Sequence, residues 1–152
     1  MTLKGAIFTR TGYTQTGWAS NQAGTTFAYN LNASYTTDAA VTLYPYWTIN
    51  TYQFTLGSAT HVNTTGSTAS GIKNYGTTIT LKATVDAGYE FAGWVSSNTN
   101  LISNLSAANT SFNMPDGKIT MTPSVKAKSY TITYDIASNA NSGDTLTNKP
   151  ST

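Results

Sequence analysis

The chain has 152 residues, of which only 9% are charged, with no cysteine, one histidine and a formal net charge of +2. Disulfide scaffolds and thiol chemistry are excluded, and His-based triads or multi-histidine metal sites lack their parts. Thr, Ser and Asn supply 59 of the 152 residues, small polar types that favour strands, turns and caps over helix interiors, while 39% hydrophobic content with 10 Tyr, 5 Phe and 3 Trp is enough to build cores.

The expected fold is therefore mainly β with little helix. The lysines are scattered, with only Lys126 and Lys128 close together, so the concentrated basic face of a nucleic-acid binder is missing. No stretch approaches the ~20 consecutive apolar residues of a membrane-spanning helix, and Met1 to Gly12 lacks the apolar core of a signal peptide. A place outside the cell would require a targeting segment that this chain does not carry.

Along the chain, Gly12-Tyr13-Thr14-Gln15-Thr16-Gly17-Trp18 is the first dense motif, and it matches Gly88-Tyr89-Glu90-Phe91-Ala92-Gly93-Trp94 at an offset of 76. Thr42-Leu43-Tyr44-Pro45 matches Thr120-Met121-Thr122-Pro123, and Tyr52 to Leu56 matches Tyr130 to Tyr134, both at an offset of 78. A period near 77 residues is long enough for each copy to hold its own small core, so the chain reads as tandem modules rather than a solenoid. The phase divides it into a first unit, 1–50, lacking its opening strand; a complete unit, 51–128; and the start of a third, 129–152.

In the first unit, residues 28–40 are ambiguous between helix and strand. Leu43, Pro45 and Trp47 are expected to face inward, which puts Tyr44 and Tyr46 together on the opposite face as a candidate contact surface. The joins at 48–51 and 125–129 are short, which restricts motion between units.

In the complete unit, Tyr52, Phe54 and Leu56 alternate with polar residues and predict a strand, followed by a loop or ragged hairpin to Gly71. Ile79, Leu81, Ala83 and Val85 predict one half-buried strand, turned by Asp86-Ala87-Gly88. Tyr89 and Phe91 share a face that strict alternation denies to Trp94, so a bulge at Gly93 is expected to re-aim the tryptophan inward. Leu101, Ile102, Leu105 and Ala108 suit one face of a short helix, although the intervening Asn and Ser disfavour it. Met114-Pro115-Asp116-Gly117 has the residues of a type I turn before a closing strand over Ile119 to Pro123. Trp18, Trp47, Tyr89, Phe91 and Trp94 are the expected structural core.

Together these motifs resemble the Listeria-Bacteroides repeat, or internalin-type B-repeat, whose pattern is R-x-GY-x-F-x-GW followed by TLYAxW. Arg10, Gly12-Tyr13, Gly17-Trp18 and Thr42 to Trp47 carry the likeness in the first unit, with Gln15 in place of the aromatic and Pro45 in place of alanine. The central unit resembles the divergent form through Tyr75 to Ala83, Gly88 to Trp94 and Phe112 to Pro115. The resemblance implies tandem β-grasp-like or small sandwich modules of secreted or wall-attached bacterial surface proteins, with no catalytic residue and no cofactor.

The chemistry left to the chain is sparse. His61 lies in a Thr/Asn-rich loop, and Asp86 with Glu90 are the only acids close in sequence near a turn, a poor start for the paired carboxylates of a glycosidase. No catalytic, cofactor-binding or metal-binding residue is assigned. The expected role is a spacer or interaction module; the alternative is an adhesin-like module that binds glycan or protein on a host or bacterial surface. Finally, Tyr130, Ile132, Tyr134 and Ile136 alternate with polar residues, so 129–136 is expected as a strand able to exchange with another copy.

Overall fold

The computed structural model describes residues 1–133, and every regular element among them is a β-strand. The first three strands are β1 (Tyr13–Ala19), β2 (Phe27–Asn30) and β3 (Tyr44–Ile49), which form an antiparallel sheet in the order β2-β1-β3. The segment before β1 closes over this sheet. Thr2 bridges to Ser34, the Leu3 N–H donates to the Ala33 carbonyl, and the Lys4 carbonyl accepts the indole N–H of Trp18 at 3.0 Å.

The following strands are β4 (Thr51–Leu56), β5 (Val62–Asn63), β6 (Gly71–Asn74), β7 (Thr78–Leu81), β8 (Thr84–Val85), β9 (Tyr89–Ser96), β10 (Thr110–Asn113) and β11 (Ile119–Ala127). A four-stranded sheet runs β6-β4-β11-β9, in which only the β4–β11 pair is parallel; ribbons β10-β7 and β5-β8 complete the structure. The core between these layers consists of Phe54, Ile79, Leu81, Ala83, Trp94, Met114, Ile119 and Met121. Burying such side chains, at about 1.5–3 kcal/mol each, is what holds strands this short together.

Register shows how literally the repeat is built. Trp18 faces Pro45 and Trp94 faces Pro123; Gly17 faces Tyr46 and Gly93 faces Ser124; Tyr13 faces Ile49 and Tyr89 faces Ala127. In both sheets one extra residue interrupts the ladder at the same place, Thr16 in β1 and Ala92 in β9. The bulge is the expected one beside Gly93, and it recurs beside Gly17. It lets Phe91 and Trp94 share the inner face, their rings 5.7 Å apart and Trp94 fully buried. Gly93 takes φ 137°, and a Cβ there would come within 3.1 Å of the Leu105 carbonyl oxygen. The turns into the two strands also agree: Tyr13 N–H to Arg10 carbonyl, and Tyr89 N–H to Asp86 carbonyl, with Gly12 and Gly88 at positive φ.

Several expected elements come out differently. The alternation from Ile79 to Val85 persists in burial, but the strand is split, because the Lys82 N–H goes to the Ser67 hydroxyl and the Ala83 N–H to the Ala108 carbonyl. No helix forms between Thr99 and Phe112. There the Asn98 carbonyl accepts from Leu101 and Ile102 in a single turn, while the side chains of Asn98 and Asn104 accept from the backbones of Asn100 and Ser96. Polar side chains have taken bonds that a helix would need. Leu101, Ile102, Leu105 and Ala108 nevertheless pack on the core as an irregular cover.

Met114 to Gly117 bends without the closing bond of a type I turn, since the Met114 carbonyl accepts from Gly76 instead. Residues 130–133 join no strand; Tyr134 and Ile136, and with them the rest of the expected strand, lie outside the described residues.

Candidate contact surface

In β1 the bulge puts Gln15 and Trp18 on one face and leaves Gly17 and Ala19 on the other. Gln15 occupies the place that Phe91 holds in the central unit. Buried as it is, it must satisfy its own amide, and it does so by accepting the N–H groups of Ile7 and Phe8 at 3.0 and 3.1 Å while donating to the Gly17 carbonyl. An aromatic contact is replaced by a clamp on the incoming chain. Phe8 then supplies a ring, edge-on to Trp18 at 6.1 Å.

The opposite face carries the aromatics. Tyr44 lies across from Ala19 and Tyr46 across from Gly17, both half-buried. Phe27, which the sequence reading missed, also lies across from Ala19; it is 48% exposed and packs edge-on to Tyr46 at 5.2 Å. Its ring lies over Gly17, where a Cβ would come within 2.6 Å of it. The signal for it was the aromatic spacing of Phe27 and Tyr29, too short a run to distinguish strand from loop. Ala19, paired with Phe27 on one side and Tyr44 on the other, is wholly buried.

The expected core residues divide. Trp94 and Trp18 are buried, and Phe91 packs against the core cluster. Trp47 is half-buried opposite Gln15, on β3, which among the described residues is the outer strand of its sheet. Tyr89 is likewise half-buried, stacked on His61 at 3.9 Å with Asp86 3.3 Å from the His61 ring nitrogen. Among the described residues no group of three or more His, Cys, Asp or Glu is arranged to hold a metal ion.

A second cluster sits where the two sheets meet. β3 ends at Ile49 and β4 begins at Thr51, so Asn50 alone connects them. Its N–H donates to the Gly12 carbonyl, its carbonyl accepts from Tyr75, its Oδ1 accepts from the Thr14 hydroxyl and its Nδ2 donates to Tyr52. The Tyr52 hydroxyl donates in turn to Asp116. That hydrogen bond from Tyr52 holds the Asp116 carboxyl below its ordinary pKa and pushes the Tyr52 phenol above its own. Tyr75 closes the joint, edge-on to Tyr13 at 6.2 Å and so close over Gly12 that a Cβ there would fall inside its ring.

Comparison with protein families bears on the same two stretches. The divergent InlB B-repeat domain matches residues 52–129, and the Listeria-Bacteroides repeat domain matches residues 2–45. The chain belongs to the InlB B-repeat family. As a B-repeat protein it is a repeat module of the kind found in bacterial surface proteins, and repeat families of this type are in general non-catalytic. Neither the search of curated proteins nor that of solved structures returned a match. The matched B-repeats flank Asn50, and the paired glycine-tryptophan bulges fall one within each.

Proposed function

We propose that this B-repeat chain is a non-catalytic spacer, holding other parts of an extracellular or wall-attached bacterial surface protein at a set distance and angle. The observation that carries the proposal is the one-residue connection at Asn50, whose backbone and side chain are both engaged by neighbours on each side. A stalk needs joints that resist bending, and a joint made of backbone and side-chain bonds on both sides costs more to open than a free linker. Residual dipolar couplings from residues 13–49 and 51–127 test it. One alignment tensor for both sets is the expected result; two independent tensors would remove the basis for a rigid stalk.

A second reading, an adhesin-like module for glycan or protein on a host or bacterial surface, is favoured by Phe27, Tyr44 and Tyr46. At the offsets of the repeat, the central unit has Ser103, Thr122 and Ser124 in their places. The fold therefore does not require rings at these positions, and half-exposed aromatics are the residues that dominate interfaces. The chain displayed in many copies, since one weak site is hard to detect alone, would be applied to glycan arrays and to host and bacterial cell surfaces. Saturable binding that disappears in a folded Tyr44→Ala/Tyr46→Ala variant is the expected outcome, and absence of binding to every surface would sink this reading.

A further inference from the structure

Strands β1, β2 and β3 contain no charged residue. On the face of this sheet that points away from Trp18, the rings of Phe27, Tyr44 and Tyr46 occupy one end. The other end carries hydroxyls. Thr14 lies directly across from Thr48, and the Thr16 hydroxyl is 2.8 Å from that of Thr48; all three threonines are exposed. One face thus joins a cluster of rings to a group of neutral hydrogen-bonding groups, each able to donate and to accept.

The central unit builds the same face from different chemistry. Its counterparts of Thr14 and Thr48 are Glu90 and Lys126, also directly paired across the strands, and they form an ion pair at 3.0 Å. Its counterparts of the three rings are serine and threonine. The first unit therefore has hydroxyls where the other has charges, and rings where the other has hydroxyls, on one and the same backbone register. Packing of the repeat requires neither set. In the central unit, where β4 lies beside β11, the face still stands open, with Val95 49% exposed and the side chains of Glu90 and Lys126 48% and 66% exposed. Openness of this face is a property of the complete unit.

We infer that the outer face of the first sheet binds an uncharged glycan, whose sugar C–H faces pack on Phe27, Tyr44 and Tyr46 and whose hydroxyls bond to Thr14, Thr16 and Thr48. The inference rests on the adhesin-like reading and gives that reading a ligand class. A charged ligand would lose water on a face that offers it no counter-charge, and an unpaired charge removed from water is costly. A neutral polyhydroxylated chain has no such cost, and it needs the combination present here, apolar ring surface beside a few polar groups that fix orientation.

The rings are set before a ligand arrives. Phe27 is held between Gly17 beneath it and Tyr46 edge-on beside it at 5.2 Å, so little side-chain freedom is left to lose on binding. Gly17 is what admits the ring, because any side chain there would occupy its place. Tyr44 and Tyr46, two residues apart on one strand, are separated by about 7 Å along β3, and Thr48 continues the same row. A glycan lying along β3 meets rings first and hydroxyls next.

The test displays the chain in many copies over neutral oligosaccharides, over sulfated and uronic-acid-bearing oligosaccharides, and over deglycosylated cell-surface protein. Wild type should bind neutral oligosaccharides saturably and the other two surfaces no better than background. Phe27→Ser/Tyr44→Thr/Tyr46→Ser, which installs the residues that the central unit carries, should abolish that binding with unchanged far-ultraviolet circular dichroism. Thr14→Glu/Thr48→Lys, which rebuilds the ion pair of the central unit and leaves every ring in place, should weaken it about tenfold, the order expected for losing one or two hydrogen bonds. Binding confined to charged glycans or to protein, or neutral binding that both variants retain, would overturn this inference while leaving an adhesin-like role standing. Silence on all three surfaces would remove both.

Discussion

At the scale of single residues, Gln15 and Asp116 show how a polar side chain becomes structural. Because Gln15 accepts two backbone N–H groups, restoring an aromatic there with Gln15→Phe should lower rather than raise stability. Each of these part-buried hydrogen bonds contributes about 0.5–1.5 kcal/mol, so the thermal midpoint by circular dichroism should fall, and a rise would show that the aromatic core matters more than the clamp. Asp116 and Tyr52 make the joint pH-dependent. The Asp116 carboxyl is lowered by the Tyr52 hydrogen bond, so its contribution is in place above the ordinary carboxylate range and is lost as pH falls through the lowered native value. The Tyr52 phenol is raised by the same bond, so its contribution is in place below about pH 10 and is lost as pH rises through the raised native value. Tyr52→Phe should flatten both limbs of a urea-midpoint profile against pH, whereas a profile identical to wild type would mean the bond is idle.

At the scale of elements, the glycine-tryptophan bulge is the device both units share. Gly93→Ala places a side chain at φ 137° and against the Leu105 carbonyl. Forcing a non-glycine residue there should cost about 1–3 kcal/mol, measured as a drop in unfolding free energy, with Ala92→Gly as a control that leaves the Gly93 conformation alone. This bulge was legible in the sequence because Phe91 and Trp94 are an odd number of residues apart, and two large apolar rings in one small module must share a core. The break after Leu81 was not legible. Alternation from Ile79 to Val85 reports which residues face inward, and burial obeys it, but which partner each backbone group finds is decided by Ser67 and Ala108, distant in sequence. The run from Leu101 to Ala108 failed as a helix for a related reason: its apolar spacing serves the cover over Trp94, while Asn98 and Asn104 claim the local backbone bonds. Phe27 escaped notice because its strand is four residues long, too short for a period to declare itself.

At the scale of the whole molecule, the joint at Asn50 decides whether the chain behaves as one body. Gly12→Ala would set a Cβ into the Tyr75 ring at a residue held at φ 75°. We expect calorimetry to show two separated unfolding transitions in this variant where wild type shows one, since the core cluster lies wholly on the central side of Asn50 and the contact that couples the first sheet to it is lost. A single transition in the variant would assign the coupling to the remaining Asn50 bonds.

What the sequence by itself determined was periodicity: β class from composition, a repeat near 77 residues, the inward tryptophans at 18 and 94, and the bulge that aims the second of them. These follow from local chemistry and from each copy's need to bury its rings, which leave their mark on nearby residues. Only the tertiary structure decided that Gln15 clamps the chain before β1, that Trp47 is half-buried on an outer strand, that Phe27 packs on Tyr46, and that Asn50 and Tyr75 close on Gly12 while Tyr52 links Asn50 to Asp116. Each of those depends on hydrogen bonds and ring contacts between residues far apart in sequence, and no local pattern records which distant group a backbone amide or an aromatic ring will meet.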